Sequence, residues 1–212
     1  MNILGIWGSH PDDNKKHYHD AGSSLFIDGV HVCSLSEERL TKKKRETQYP
    51  KLTIDYALNK GNIKKEDINV IMYSYNLGEG SLTEPYYEAA IAKIFPNAKI
   101  EKVFHHQAHA VSALWTSPFD RASIFTIDNG GGWLPWNGIE NSTFCIGDKE
   151  EGITVLNHSV KSTTKKEPGA FMLAGFYAWV AKNKCEIEGH YLDVAGKLMG
   201  MSAYGDYTKV TY

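Results

Sequence analysis

The sequence predicts a mixed-sheet α/β domain. Short β-rich runs open the chain in hairpin succession, helical and strand-like runs then alternate, and a last alternating pair precedes two helical runs. Such alternation marks a sheet covered by helices. The 212 residues, 42% hydrophobic and 23% charged, allow one ample domain or two small ones with a sizeable core. A net charge of −2 gives no reason to expect a nucleic-acid or anionic-membrane surface. No run approaches the roughly 18 apolar residues of a membrane span. The opening Met-Asn-Ile-Leu-Gly-Ile-Trp-Gly has no basic leader. Cys33, Cys145 and Cys185 are scattered with no Cys-x-x-Cys pair, which argues for reduced thiols and a cytoplasmic location. Cys33 and Cys145 read as core residues in strands.

Residues 2–8 read as a buried strand. Ser23 to Asp28 and Val30 to Ser36 are β-rich runs joined at Asp28-Gly29, a strong hairpin signal. Glu37 to Tyr49 reads as a short helix plus loop, ended by Pro50. Residues 51–60 read as a helix with Leu52, Ile54, Ala57 and Leu58 on one side and Gly61 as its stop. Ile68 to Tyr75 is a strand, 82–95 a helix ending before Pro96, and Lys99 to Phe104 a strand. A helix from His105 and a strand from Ala122 to Asp128 follow. Thr143 to Gly147 and Ile153 to His158 alternate as an antiparallel pair, and helices are expected near 169–183 and 190–199. This order matches a ribonuclease-H-like half-unit of the actin-like phosphotransferase group.

The most informative chemistry is His105 and His109 in Val-Phe-His-His-Gln-Ala-His-Ala-Val-Ser-Ala-Leu-Trp. Ala108, Ala110 and Ala113 favour a helix there, and residues four apart share a helix face with Cβ atoms about 5–6 Å apart. Two imidazoles so placed can grip one metal ion; a His-rich helix start without a ligand is the plainer alternative. The zincin pattern has a glutamate after its first histidine, and His106 stands there instead, which argues against a hydrolytic zinc site.

Asp128-Asn129-Gly130-Gly131-Gly132 follows a strand. Successive glycine N–H groups can cradle phosphate oxygens, while Asn-Gly equally signals a type I′ hairpin turn. His19-Asp20 can supply a base and its orienter, or be a polar loop. Lys42-Lys43-Lys44-Arg45 beside Glu37-Glu38 is a solvated loop or an anion-facing one. Gly196-Lys197-Leu198-Met199-Gly200 suits close nucleotide approach or a helix C-cap.

These segments, in this order, resemble the carbamoyltransferases of the NodU/CmcH type. That family reads His-Asp-Ala-Ser, Glu-Glu-Arg-Phe-x-Arg-x-Lys, His-His-x-Ala-His-Ala, Asp-Gly-x-Gly-Glu-Trp and Lys-Val-Met-Gly-Leu-Ala-x-Tyr-Gly. This chain reads His19-Asp20-Ala21, Glu37 to Lys44, His105 to Ala110, Asp128 to Trp133, and Lys197 to Gly205. The resemblance implies an actin-like (ASKHA) domain that binds ATP or carbamoyladenylate and moves a carbamoyl group onto a hydroxyl acceptor. It implies a divalent metal, iron, held by His105, His109 and an aspartate from farther along the chain. His19 and Lys44 become active-site candidates. Asp128, Gly130, Gly131, Gly132, Lys197 and Gly200 become nucleotide contacts. A separate YrdC-like domain would make carbamoyladenylate from carbamoyl phosphate and ATP.

The chain departs from the pattern at Asn129, Gly130 and Gly132, and its segment from Gly8 to Tyr18 is longer and more polar. It ends at Tyr212, where the family continues. The reading is therefore an amino-terminal portion, without a second half or YrdC-like domain and inactive without them. It would need a partner chain or self-association; a non-catalytic nucleotide- or metal-binding accessory module is the alternative.

Overall fold

The computed structural model describes residues 1–12, 19–74, 83–128, 131–134, 138–162 and 173–205. The chain forms two compact units, Met1–Ala108 and His109–Tyr212.

In the first unit, β1 (Asn2–Trp7), β2 (Gly22–Ile27) and β3 (Val30–Ser36) form the expected antiparallel meander. The hairpin turn has positive φ at both Asp28 (50°) and Gly29 (79°), as a type I′ turn requires. Strands β4 (Val70–Ser74) and β5 (Lys99–Val103) then join parallel to β1, giving the order β3-β2-β1-β4-β5. Helices α1 (Glu38–Thr41), α2 (Lys51–Gly61) and α3 (Thr83–Ile94) make the connections. This mixed sheet with flanking helices is the ribonuclease-H-like arrangement that the element order predicts.

The core joins Leu4, Ile6, Leu25, Ile71 and Tyr73 from the strands to Ile54, Ala57 and Leu58 from α2 and Tyr87, Ile91 and Phe95 from the α3 segment. Each such large apolar side chain contributes about 1.5–3 kcal/mol by leaving water. The helix face on α2 differs from the sequence reading in one place. Leu52 is exposed, and Thr53 takes the buried position beside Ile54. Nor does Gly61 stop α2: Asn62, at φ 51°, is its left-handed cap. Gly61 is small for packing, because a Cβ there would lie 2.8 Å from Leu25 Cδ2 and 3.0 Å from Ile27 Cδ1.

Pro50 at the N-cap of α2 supplies no side-chain cap. The buried Glu37 carboxylate does so from a distance, accepting the N–H of Leu52 (2.9 Å) and of Thr53 (2.8 Å). A carboxylate at a helix N-terminus satisfies orphan donors and complements the helix dipole. Glu37→Ala is expected to cost about 2 kcal/mol, since it strands the buried Thr53 amide and the partly buried Leu52 amide. Chemical denaturation checks it, and an unchanged midpoint would refute the remote cap.

Helix α4 (His105–Thr116) carries the chain across the boundary between the units. In the second unit β6 (Arg121–Ile127), β7 (Trp133–Leu134), β8 (Gly138–Asp148) and β9 (Gly152–Ser162) form an antiparallel sheet. The strands β8 and β9 run well beyond the predicted pair. Ala110 and Leu114 of α4 pack on Ile124 and Cys145 of one sheet face. Burial, and after it the Glu140 carboxylate, pushes the Cys145 thiol up from its ordinary pKa. Helices α5 (Leu173–Asn183) and α6 (Tyr191–Met201) pack through Ala178, Ala181 and Val194. Among the described residues no helix is long and apolar enough to cross a membrane.

Among the described residues β6 and β7 do not pair with each other as the strands of a hairpin at Asn129-Gly130 would. Both β6 and β7 run antiparallel to β8, pairing Ile127 with Ser142 and Trp133 with Ile139. The chain therefore keeps its direction from β6 to β7, with the Asp128 N–H on the Asn141 carbonyl (3.0 Å) and the Gly131 N–H on the Glu140 carbonyl (2.7 Å). Asn129 and Gly130 themselves lie outside the described residues.

Candidate functional site

His105 and His109 lie one turn apart on α4, as their spacing predicts. Asp128 follows β6 directly and is grouped with them. One ligand atom each from His105, His109 and Asp128 lies within 4.8 Å of the other two. The His105–His109 pair is fixed by the helix itself, and the His109–Asp128 pair lies within the second unit. His109 Nε2 stands 3.6 Å from Asp128 Oδ2, with side chains 53% and 32% exposed. That gap exceeds a hydrogen bond. It fits two donors sharing one ion, since bonds of about 2.0–2.2 Å at tetrahedral or octahedral angles leave ligand atoms roughly 3–3.5 Å apart. Asp128, which the sequence offers both as a strand-end acid suited to a metal ion or its water and, by resemblance, as a nucleotide contact, stands with the histidines.

Two neighbours of the pair carried little signal in the sequence. Trp7, near the end of β1, sets its ring 5.8 Å from that of His105 and donates its indole N–H to the His19 carbonyl (2.7 Å). His106, between the ligand candidates and the helix interior, is fully buried. A tryptophan ending an apolar strand reads as core, so only the fold reveals that it braces His105.

His19 is exposed and pairs with Asp20 through Nδ1 and Oδ2 at 2.6 Å. The indole bond brings its main chain, though not its imidazole, to the Trp7–His105 cluster. Lys44 is exposed on the loop after α1. That loop is tied to the ends of β1 and β2 by Ser9 N–H to the Thr47 carbonyl (3.3 Å) and Ala21 N–H to the Glu46 carbonyl (2.8 Å). Lys42, by contrast, is the left-handed C-cap of α1, with φ 62° and its N–H on the Glu38 carbonyl.

In the glycine segment two backbone amides are engaged within the protein. Gly131 N–H donates to the Glu140 carbonyl (2.7 Å) and Gly132 N–H to Glu140 Oε2 (3.2 Å). Both glycines are buried, and these donors already serve the protein. Gly130 lies outside the described residues. In the second unit Lys197 is exposed and its ammonium donates to the Glu188 carbonyl at 2.9 Å. The C-cap reading of Gly200 fails because α6 continues through Met201 into a 3₁₀ turn over Ser202–Tyr204. A Cβ on Gly196 or Gly200 would meet nothing within 4 Å, so that helix surface is open.

The fold is a mixed α/β one, and comparison with known proteins shows what the chain is similar to. Residues 14–94 match the family described as Carbamoyltransferase N-terminus. The chain is 26% identical over 141 residues to the nodulation protein NolNO of Sinorhizobium fredii, covering 53% of this chain and 20% of that protein. It is 28% identical over 177 residues to an uncharacterized protein of Synechocystis sp., covering 66% of this chain and 28% of that protein. The chain therefore spans well under a third of these relatives' length. A solved structure, YeaZ from Pseudomonas aeruginosa, aligns with a TM-score of 0.43 and 12% identity over 80% of this chain and 70% of that one. The resemblance to the amino-terminal region of carbamoyltransferases, drawn from the motifs, holds.

Proposed function

We propose that this chain supplies the metal-holding part of a carbamoyltransferase site. His105, His109 and Asp128 bind a divalent cation, and a carbamoyl group passes from carbamoyladenylate, made from carbamoyl phosphate and ATP, to a hydroxyl acceptor. The observation that carries the reading is the convergence of two imidazoles and one carboxylate. That mixed N/O donor set fits Fe²⁺ and also suits Zn²⁺ or Mn²⁺. When bound, the ion polarises a carbonyl or phosphoryl oxygen as a Lewis acid. The chain's own groups do the remainder. Trp7 fixes the His105 ring, the His19–Asp20 pair offers a proton acceptor, and Lys44 places positive charge beside the end of β1 for an anionic substrate.

Equilibrium dialysis with ATP or carbamoyladenylate, with and without Fe²⁺, tests this function. Metal-dependent nucleotide retention is expected. A metal-loaded chain that retains no nucleotide supports the accessory-module reading, which the engaged N–H groups of Gly131 and Gly132 favour.

Lys44→Ala is expected to weaken nucleotide retention by about tenfold, the scale of one lost charge-assisted contact. Lys43→Ala is the proper control, because Lys42 serves α1 as its cap. Equal small effects from both would return Lys44 to a solvated loop.

A further inference from the structure

We propose that Glu140 is a positioning residue for Asp128. This rests on Asp128 as a metal ligand. Glu140 is 1% exposed, although a carboxylate in the interior is costly unless hydrogen bonds compensate it. Three of its bonds run to Gly131 and Gly132. Oε2 accepts Gly132 N–H, the carbonyl accepts Gly131 N–H, and its own N–H donates to the Gly132 carbonyl at 3.0 Å. The adjoining Asn141 carbonyl accepts Asp128 N–H, also at 3.0 Å. Asp128 on one side and Gly131 and Gly132 on the other are thus held by two consecutive residues of β8.

Strand β8 is irregular at the same place. Glu140 pairs with Val160 and Ser142 with Ser159, so Asn141 is an extra residue against β9. Bulges of this kind re-aim neighbouring side chains. Behind Glu140, Oε1 lies 3.6 Å from His158 Nδ1, and Thr143 Oγ1 lies 3.2 Å from the same nitrogen. Glu140 therefore faces a histidine of β9 while it bonds to Gly131 and Gly132. A side chain that fixes a metal ligand through its backbone sets affinity without touching the ion, an effect typically worth 10–100-fold.

The test compares wild type, Glu140→Gln and Glu140→Ala by amide hydrogen exchange and by Co²⁺ titration. Glu140→Ala is expected to speed exchange at Asp128 and Gly132 while leaving Ile124 protected, and to weaken Co²⁺ about 10–100-fold. Glu140→Gln keeps an oxygen for Gly132 N–H and restores most of both readouts. In an Asp128→Asn background, Glu140→Ala should produce no further loss of Co²⁺. The proposal is overturned if exchange at Asp128 and Gly132 is unchanged, or if the Co²⁺ loss persists undiminished in that background. If His105→Ala and His109→Ala leave Co²⁺ binding intact, the ligand assignment has failed, and hydrogen exchange alone decides the positioning role. Should Glu140→Ala not fold, the same exchange comparison on Glu140→Gln decides: protection near wild type supports the clamp, and Ile124 losing protection along with Gly132 contradicts it.

Discussion

His105→Ala and His109→Ala each lower divalent-metal affinity by on the order of 100-fold or more, while far-UV circular dichroism stays near wild type. Loss of one of three protein ligands removes a direct bond to the ion, so the effect exceeds that of an outer residue. The fold should survive His109→Ala best, because that side chain is half-exposed and α4 gains an alanine. His105→Ala also loses its contact with Trp7 and should lower stability slightly. Elemental analysis after dialysis decides the matter; unchanged metal content in either variant would remove it from the ligand set.

The largest effect on stability is expected from Gly8→Ala. A Cβ at Gly8 would lie 2.7 Å from the Gln48 carbonyl oxygen, 2.8 Å from Pro50 Cδ and 3.2 Å from Ala21 Cβ. Main chain and a proline ring cannot turn aside as a flexible side chain can. Overpacking of this kind costs about 3 kcal/mol, which lowers the melting temperature of a chain this size by roughly 6–12 °C. Because the displaced segment 46–50 leads from Lys44 into α2, nucleotide retention should fall as well. Thermal unfolding within 1 or 2 °C of wild type would show that the β1 end and this segment are not held together.

Local chemistry made much of the fold legible. Asp28-Gly29 encodes its turn by the need for positive φ, and the spacing of Ile54, Ala57 and Leu58 encodes the buried face of α2. The His105–His109 pair was readable because helix periodicity alone brings the two rings together. What sequence could not supply depends on pairing across distance. Asn129-Gly130 looks like a hairpin turn, yet β6 and β7 share β8 as a partner, a pairing that no local signal announces. The same pairing takes the Gly131 and Gly132 amides from a phosphate and gives them to Glu140, an unremarked acid eight residues beyond Gly132. Gly61 reads as a stop and proves to be a packing position, because Leu25 and Ile27 approach it from a strand far away in sequence. Leu52 fits the helical pattern, but the turn held by Glu37 exposes it.

The central claim is that His105, His109 and Asp128 share one ion, and X-ray absorption spectroscopy of the Fe²⁺- or Co²⁺-loaded chain tests it most directly. The account predicts multiple scattering from two imidazoles with oxygen neighbours at about 2.0–2.2 Å, one imidazole lost in His109→Ala, and a changed oxygen shell in Asp128→Ala. A bound ion with no imidazole scattering, or a spectrum unaltered in both variants, would contradict it.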